Sequence, residues 1–317
     1  MVSLRTVRIM AVFHAGSLPY GVQKRRADER VLSMVPSDPL NGRNRQAADD
    51  VVRRLNGMTP LGVAFSGGVD SSVLLALAVR ALGRDQVIAV VGVSPSLAAA
   101  ERSAAHEVAA FIGVRVVEVV TREGDRAAYR ANGPDRCFHC KDELFTQISD
   151  AVVAEHGLVA VAYGENADDA RRPDRPGATA ATNHKVLRPL AEAGMDKAAV
   201  RSVARALMLP CADKPAAPCL ASRIPHYQEV NPEKLAQIEQ AEQALRHLSF
   251  GDVRVRHHGD TARVELPLED LPRAVVADIR EAIYRAITKA GFRFVTLDLA
   301  GIQSGAFTLS LMGAKDG

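Results

Sequence analysis

The residues Ala64-Phe65-Ser66-Gly67-Gly68-Val69-Asp70-Ser71-Ser72 join an apolar run to a helical pattern. The apolar run, 61–65, predicts a buried strand, and the apolar residues that follow the loop recur at helical spacing. Between strand and helix, a glycine pair lets the backbone turn sharply and approach a ligand. Hydroxyls and the free N–H groups of the first helical turn surround that turn, so we predict a phosphate site. The residues that line it in this prediction are Ser66, Gly67, Gly68, Val69, Asp70 and Ser71.

Two common phosphate-binding motifs do not match this loop. The Walker loop ends in Gly-Lys-Ser/Thr, and no lysine lies between Leu61 and Ala81. The dinucleotide pattern Gly-x-Gly-x-x-Gly is also missing from it. The loop resembles instead the PP-loop signature Ser-Gly-Gly-x-Asp-Ser of the ATP pyrophosphatases, which adenylate a substrate and release pyrophosphate. The alternative is a plain strand-to-helix turn with a serine cap.

Composition bounds the class of protein. Of the 317 residues, 47% are hydrophobic and 24% are charged, as in an ordinary globular protein. The net charge of +3 is too small to indicate nucleic-acid binding. No segment approaches the roughly 20 apolar residues that span a bilayer. We therefore expect neither nucleic acid nor a membrane as a partner.

Residues 1–45 differ from the rest of the chain. They combine the basic run Lys24-Arg25-Arg26 with scattered Pro, Ser and Gly, and they show no sustained period. The apolar run 9–13 is too brief for a signal-peptide core. We interpret 1–45 as a disordered extension, with Met34 as an alternative initiator. Without a targeting signal we expect a cytoplasmic location, where cysteines tend to be catalytic or metal-binding.

Beyond Gln46, predicted strands and helices alternate, which is typical of a doubly wound parallel sheet with its ligands at the carboxyl ends of the strands. The second strand ends at Ser94-Pro95-Ser96, where a hydroxyl can cap the next helix, and we count Ser94 among the ATP-binding residues. The predicted strands are 61–65, 86–93, 114–120, 158–164 and 186–190. The predicted helices include 46–55, 97–112, 136–156 and 197–208.

An acidic loop, Glu165-Asn166-Ala167-Asp168-Asp169, follows the fourth predicted strand and reaches the same edge of the sheet. Carboxylates near a phosphate loop indicate a magnesium site, because hard divalent cations prefer oxygen ligands and bridge phosphates. Asp168 and Asp169 are the candidate ligands, and a solvated acidic loop is the alternative. The segment 171–184 is rich in Pro, Gly, Arg and Thr, so we predict a mobile loop over the site.

The pattern changes after Asn231, which can cap a helix that has Pro232 at its first position. Helix 233–247, strands 253–257 and 262–266, helix 271–290 and strand 292–299 predict a compact α+β unit. We place a domain boundary near Gln228. The predicted fold class is therefore α/β, a doubly wound PP-loop/HUP-like sheet domain at 46–228 with a smaller C-terminal α+β substrate-binding domain at 229–317.

Three cysteines are candidates for chemistry. Cys137 and Cys140 form a C-x-x-C pair, which alone is ambiguous between zinc, redox and cluster roles. Cys219 lies in a distant irregular stretch that a doubly wound sheet can bring to the same edge. Three thiolates are one short of the usual four, and a cluster that they hold would leave one iron open to an exogenous ligand. Cys211 is either a fourth ligand or a spectator thiol.

Several motifs together resemble the LarE family, the ATP-dependent sulfurtransferases that build the nickel-pincer nucleotide cofactor of lactate racemase. The resemblance spans about 46–304. It implies that ATP adenylates a carboxylate of pyridinium-3,5-biscarboxylic acid mononucleotide, and that sulfur then displaces AMP to leave a thiocarboxylate. The matching stretches are Ser66 to Ser71, Arg136-Cys137 with Cys140-Lys141, Asp213-Lys214-Pro215-Ala216-Ala217-Pro218-Cys219-Leu220-Ala221-Ser222-Arg223-Ile224-Pro225, and Arg254-Val255-Arg256-His257.

The cysteine content divides this family by its sulfur source. In members with only the Cys219 equivalent, that cysteine gives up its own sulfur and becomes dehydroalanine. Members with three cysteines resemble proteins in which a [4Fe-4S] cluster carries an extra sulfide. Because Cys137, Cys140 and Cys219 are all present, we favour the cluster route with these three as catalytic ligands, over sacrifice of Cys219.

The resemblance also implies a binding site for the phosphate and carboxylate groups of the substrate. Arg254 and Arg256 alternate along a predicted strand, so both side chains face the same way. The guanidinium fork suits such anions. A solvated basic strand face is the alternative. The residues assigned to the substrate or to orienting these arginines are Ser222, Arg223, Arg254, Arg256, Glu265 and Asp298.

Two features depart from the family pattern. The family's loop usually reads Gly-Thr-Asn-x-Asp-Asp, and here Glu165 replaces the threonine. Cys211 is an addition to the cysteines of the family pattern. The rival functions are a tRNA thiolase, an amide-forming ligase of the NAD synthetase type, and a nucleotide-binding regulator without turnover. We expect ATP, magnesium and a [4Fe-4S] cluster as cofactors, a small-molecule nucleotide as substrate, and a homo-oligomer.

Overall fold

The structure is a computed structural model, and it describes residues 40, 42–172 and 176–303. The predicted extension therefore lies almost entirely outside the described residues. None of the described helices has both the length and the apolar character that a membrane crossing needs. The helices are α1 Gly42–Leu55, α2 Val69–Leu82, α3 Ala99–Ile112, α4 Ala127–Arg130, α5 Arg136–Gln147, α6 Ala154–His156, α7 Ala167–Ala170, α8 Pro176–Asn183, α9 Pro189–Glu192, α10 Lys197–Ala206, α11 Pro232–His247, α12 Leu271–Ala274 and α13 Ala277–Lys289. The strands are β1 Leu61–Ala64, β2 Val87–Val93, β3 Arg115–Val120, β4 Ala160–Tyr163, β5 Arg254–His258, β6 Thr261–Glu265 and β7 Phe294–Leu297.

The first sheet is parallel, with the strand order β3-β2-β1-β4. Its two faces bury alternate residues of β2: Ala89 and Val91 pack with α1, α2, α3 and α10, whereas Ile88 and Val90 pack with α5 and α8. Helices on both faces make the sheet doubly wound, as predicted. The strand order reverses between β1 and β4, so a cleft opens at the carboxyl ends of these two strands.

Three local predictions are wrong. Of the predicted strand 186–190 only Leu187 pairs with the sheet, by a parallel bridge to Ala162, because Pro189 begins a helix two residues later. The predicted mobile loop 171–184 contains the helix α8, which packs against α5. Residues 173–175 lie outside the described residues. The predicted helix 136–156 is confirmed as one continuous helical stretch, in which π-helical turns at Ile148–Val153 join α5 to α6. The predicted helix 271–290 is instead two helices, α12 and α13.

The second sheet has the order β5-β6-β7, with β5 antiparallel and β7 parallel to β6. The core of this region lies between the sheet and the helices α11 and α13, where Val255 and Val264 of the sheet and Ile287 of α13 are fully buried. Asn231 caps α11 as predicted, since its side chain accepts a hydrogen bond from the Lys234 N–H at 2.9 Å. The described residues fall in one compact unit, and the domain boundary near Gln228 stays a prediction.

Candidate active site

The phosphate loop sits at the carboxyl end of β1. Gly67 has φ +71°, and a Cβ atom there would lie 2.7 Å from the Ala105 Cα, so both the backbone and the space require glycine. The Ser72 hydroxyl donates to the Gly68 carbonyl at 2.8 Å and holds the turn. No described side chain caps α2, whose first residue is Val69. The alternative of a serine-capped turn is therefore wrong, and the first N–H groups of α2 can meet an anion.

The acidic loop meets the phosphate loop through Asn166. Its amide Nδ2 donates to Asp70 Oδ1 at 3.2 Å and to Asp169 Oδ2 at 3.0 Å, which places these two carboxylates side by side. Asp168 is turned away, because its Oδ2 accepts from the backbone N–H of Lys197 at 2.9 Å. The Lys197 ammonium forms an ion pair with the other oxygen of Asp70. Of the two predicted magnesium ligands, only Asp169 faces the phosphate loop.

One cavity of about 500 Å³ joins the phosphate loop to the residues predicted to deliver sulfur and bind the substrate. Ser66, Gly68 and Asp70 line one side, and Cys219 and Arg254 line another. A smaller cavity of about 240 Å³ lies on the other side of Ser66 and is lined by Lys141, Tyr163, Glu165 and Asp169. The structure therefore brings Cys219 to the same cleft as the phosphate loop.

The thiols of Cys137, Cys140 and Cys219 lie close enough to influence one another electrostatically. Burial raises the pKa of the Cys140 thiol well above its ordinary value, and charge on Cys219 and Cys137 raises it further. Cys219 is exposed to the cavity, yet the protein around its sulfur also raises its pKa, against the effect of the Arg136 guanidinium. Both thiols are therefore largely protonated at neutral pH.

The described residues contain no group of three His, Cys, Asp or Glu side chains that could hold a metal ion. The three thiols are thus neighbours without the spacing of a cluster site. Cys211 is 2% exposed and packs in the core of the parallel sheet, whereas Cys140 packs against a separate cluster around Tyr129 and Leu220. Cys211 is therefore a packing residue and not a fourth ligand.

Ser94 does not cap the following helix. Its hydroxyl donates to Glu123 Oε1, and α3 begins after Ala98 without a side-chain cap, so the predicted cap is wrong. The Ser96 hydroxyl is hydrogen-bonded to the Tyr129 hydroxyl, and Ser96 lines the larger cavity. ATP binding by Ser94 stays a prediction.

Two of the predicted substrate-binding arginines form buried ion pairs. Arg256 makes two hydrogen bonds to Glu265, at 3.0 and 2.8 Å, and these side chains are 4% and 0% exposed. It also donates to the Ser222 carbonyl at 2.9 Å. Arg223 pairs in the same way with Glu242, at 2.8 and 3.2 Å. These pairs fasten the Cys219 segment to β5 and α11.

Arg254 differs from these arginines because its charge is poorly compensated. The side chain is 6% exposed, its nearest carboxylate is Asp252 at 4.0 Å, and its buried Nε has no hydrogen-bond partner among the described residues. Its Nη2 donates to the Ala216 carbonyl at 3.0 Å. Burial lowers its pKa. Asp298, predicted to orient these arginines, instead pairs with Arg263 at 3.0 Å.

Comparison with known proteins identifies the family. Residues 44–154 match the family model for asparagine synthase. A pyridinium-3,5-bisthiocarboxylic acid mononucleotide synthase of Lactiplantibacillus plantarum is 34% identical over 265 residues, which cover 84% of this chain and 95% of that protein. The chain belongs to the LarE family. An uncharacterized protein of Synechocystis sp. is 40% identical to this chain over 243 residues, which cover 77% of this chain and 90% of that protein.

Membership of the LarE family, together with the phosphate-loop domain, makes this protein an ATP-utilising sulfurtransferase. The predicted family and the predicted α/β class with an additional small sheet are confirmed. The division of the LarE family by cysteine content is not resolved by these likenesses, so the three-cysteine subtype stays a prediction.

Sequence reasoning missed several residues of this LarE site. Lys197 carried no signal, because it lies 127 positions from its partner Asp70. Asn166 stood inside the quoted acidic loop, and its position as the cap of α7 could have indicated an ordered side chain. Glu242 falls on the predicted helix 233–247, yet nothing in that pattern marks it as the buried partner of Arg223.

Proposed function

We propose that this protein uses ATP to adenylate a carboxylate of pyridinium-3,5-biscarboxylic acid mononucleotide and then replaces AMP with sulfur, giving a thiocarboxylate. The name of the L. plantarum relative describes a synthase of the bisthiocarboxylic product. The observation that carries the proposal is the shared cavity, because the phosphate loop, Cys219 and Arg254 all line it. A carboxylate held there can meet both the nucleotide and the thiol.

In the adenylation step, the phosphates of ATP lie against Gly68 and the first N–H groups of α2. Magnesium would be held between the phosphates and the carboxylates of Asp70 and Asp169, which Asn166 places side by side. Bound there, it would neutralise charge that develops on the phosphates as pyrophosphate leaves. The Lys197 ammonium, at the Asp70 carboxylate, adds a positive charge on the same side.

Arg254 binds an anionic group of the nucleotide substrate. A buried guanidinium whose Nε lacks a partner gains more from a phosphate or carboxylate than one that is already paired. Arg256 and Arg223 are held by Glu265 and Glu242, and they support the Cys219 segment through its carbonyl groups. Arg254 therefore contributes most to substrate binding.

In the second step, a sulfur atom delivered at Cys219 bonds to the acyl carbon, and the bond from that carbon to the AMP oxygen breaks. We propose a [4Fe-4S] cluster on Cys137, Cys140 and Cys219 as the sulfur carrier, because three thiolates would leave one iron open to an exogenous ligand. The described thiols are not spaced as ligands, so no step is derived through the cluster. The hydrogen bond from Arg136, next to Cys137, to the Ala221 carbonyl, two residues after Cys219, joins the cysteine segments and supports a shared role in sulfur delivery.

The decisive experiment incubates the protein with ATP, magnesium and the biscarboxylate mononucleotide, and measures the mass of the nucleotide product and the pyrophosphate released. We expect a product in which sulfur replaces one oxygen. Asp70→Asn suppresses pyrophosphate release with little change in fold, and the exposed Asp85→Asn serves as the control. Release that is unaltered in Asp70→Asn would contradict the assigned phosphate site.

The sulfur source is tested by colour. Protein purified without oxygen is expected to show the broad visible absorption of an iron-sulfur centre, and to lose it on Cys137→Ala, Cys140→Ala or Cys219→Ala. A colourless, reconstituted protein whose Cys219 loses sulfur during turnover, seen by mass spectrometry, would instead support sacrifice of that cysteine. We also propose that the protein is a homo-oligomer located in the cytoplasm. Solution scattering measures the oligomeric state.

A further inference from the structure

Arg136 connects the C-x-x-C helix to the cysteine loop, defined here as residues 219–228. It is 8% exposed and immediately precedes Cys137 at the start of α5. Its Nη1 donates to the carbonyl oxygen of Ala221 at 3.0 Å and also to the Asn132 side-chain oxygen. A single guanidinium nitrogen therefore joins the two cysteine-bearing segments.

Asn132 extends this connection to the other end of the cysteine loop. It is fully buried and has φ +56°, a left-handed conformation that asparagine adopts more readily than most residues. Its Nδ2 donates to the carbonyls of Pro225 at 2.8 Å and Gln228 at 3.0 Å, and its own carbonyl accepts from the Tyr227 N–H at 3.1 Å. Asn132 thus holds the backbone of the cysteine loop at several points, and the His226 ring nitrogen Nδ1 also lies 3.1 Å from its backbone carbonyl oxygen.

These bonds act together with those of Arg223 and Arg256, which donate to the neighbouring carbonyls of Pro218 and Ser222. Cys219 itself is exposed, and residues 215–218 before it are exposed as well. The regular structure in the cysteine loop is one short 3-10 turn, Leu220–Arg223. Buried hydrogen bonds to carbonyl groups specify a single arrangement, because a broken one leaves a buried polar group without a partner.

We propose that Arg136 and Asn132 are positioning residues that hold Cys219 at working distance from Cys137 and Cys140. The inference rests on the proposed function only in that the three thiols act together in sulfur delivery. Neither residue is assigned to ATP or to the nucleotide substrate. Loss of the pair should therefore separate the two half-reactions, with adenylation retained and sulfur transfer impaired.

The test compares Arg136→Met and Arg136→Lys with Arg126→Met in the full-length protein. Arg126 is a matched control, because it binds Asp142 and Glu143 of α5 and its side chain makes no hydrogen bond to the cysteine loop within the part of the chain that the structure describes. Lysine at 136 keeps the charge but replaces the rigid, planar guanidinium, whose Nη1 donates to both oxygens, with an ammonium on a flexible stem. Pyrophosphate release, sulfur transfer and the unfolding midpoint are measured for each variant.

A second readout does not depend on turnover. Treatment with the thiol oxidant diamide, followed by peptide mass spectrometry, measures the yield of disulfide between Cys219 and either Cys137 or Cys140. We expect Arg136→Met to lower both this yield and sulfur transfer by roughly tenfold or more, since small displacements at a reacting centre have large effects. Arg136→Lys recovers only part of each, and Arg126→Met resembles the wild type.

Two outcomes would overturn the inference. One is a wild-type disulfide yield and wild-type sulfur transfer in Arg136→Met. The other is an equal loss in Arg126→Met, which would make the effect one of general stability. If the wild type forms no thiocarboxylate at all, the proposed function fails, but the disulfide yields still decide whether Arg136 positions the cysteines.

Discussion

The phosphate loop is assembled from neighbouring residues. The cysteine site, which comprises Cys137, Cys140 and the cysteine loop 219–228, instead joins segments that lie far apart in the chain. Between Ser66 and Ser72, backbone and hydroxyl groups make the turn by bonding to one another. Around Cys219, the bond from Arg136 to Ala221 spans 85 positions. The first site carries its geometry in its own sequence, and the second depends on buried polar bonds from other elements.

The same contrast recurs between two arginines on one strand. Arg254 and Arg256 both point towards the segment around Cys219, where they donate to the carbonyls of Ala216 and Ser222. Glu265 neutralises Arg256, but no carboxylate approaches Arg254 closely. Arginines with the same sequence pattern therefore differ in how far their charge is compensated, because a carboxylate on the adjacent strand pairs with only one of them.

The largest effect is expected at Cys219. Cys219→Ala should reduce sulfur transfer to background, because the thiol that lines the same cavity as the phosphate loop is lost, while pyrophosphate release persists. Both are measured on one sample of full-length protein. Cys211→Ala is the control, since Cys211 packs in the core away from the cavity and should keep both activities. Sulfur transfer that survives in Cys219→Ala would contradict sulfur delivery at Cys219, and amide formation that survives there would favour an amide-forming ligase, which needs no cysteine.

Much of the sheet domain could be predicted from the sequence, because its signals are local. The run before Ser66 is a buried strand, and the residues from Val69 onward form the helix that the spacing indicates. Pairings such as Asp70 with Lys197 could not be predicted, because a surface lysine and a buried one look alike in a sequence. The helix α8 was missed because its Pro, Gly and Thr residues favour loops, and packing against α5 overrides that preference.

A second prediction concerns the buried pair that supports the cysteine site. Glu265→Gln leaves Arg256 buried without its counter-charge and should lower the free energy of unfolding by about 3–5 kcal/mol. Glu281→Gln is the matched control, because its partner Arg285 is exposed, and a change of about 0.5 kcal/mol or less is expected. Urea unfolding measures both. Equal losses in the two variants would mean that burial does not set the strength of these pairs.

Gly67→Ala tests the local site, with Gly68→Ala as its control. Alanine at 67 must adopt a left-handed backbone, which costs about 1–2 kcal/mol, and its Cβ would press on Ala105. At 68 the backbone has φ –74° and the nearest atom to a new Cβ is the Ser66 hydroxyl, at 3.3 Å. Thermal unfolding should show that Gly67→Ala is less stable than Gly68→Ala. The KM for ATP should also rise more in Gly67→Ala than in Gly68→Ala. The reverse ranking would show that this turn is not rigid.

The smallest effect on stability is expected for an ion pair that is exposed although its partners lie far apart in the sequence. This pair tests whether exposure or sequence distance sets the strength of such contacts. Glu118 on β3 accepts hydrogen bonds from Arg102 and His106 of α3, and these lower the pKa of its carboxyl from 4.5 to about 2. The stabilisation is therefore present above pH 4.5 and lost as the pH falls towards 2. Because the pair is partly exposed, Glu118→Gln should cost about 0.5 kcal/mol at pH 7.

Urea unfolding of the wild type and Glu118→Gln at pH 7 and at pH 3 checks this expectation. The difference between the two proteins should shrink at the lower pH, where the carboxylate begins to bind a proton. A difference that grows on acidification would assign the wrong sign to the pair. A loss of unfolding free energy in Glu118→Gln as large as that in Glu265→Gln would mean that sequence separation, and not burial, sets the strength of these contacts. The contrast between the phosphate loop and the cysteine site would then need a different cause.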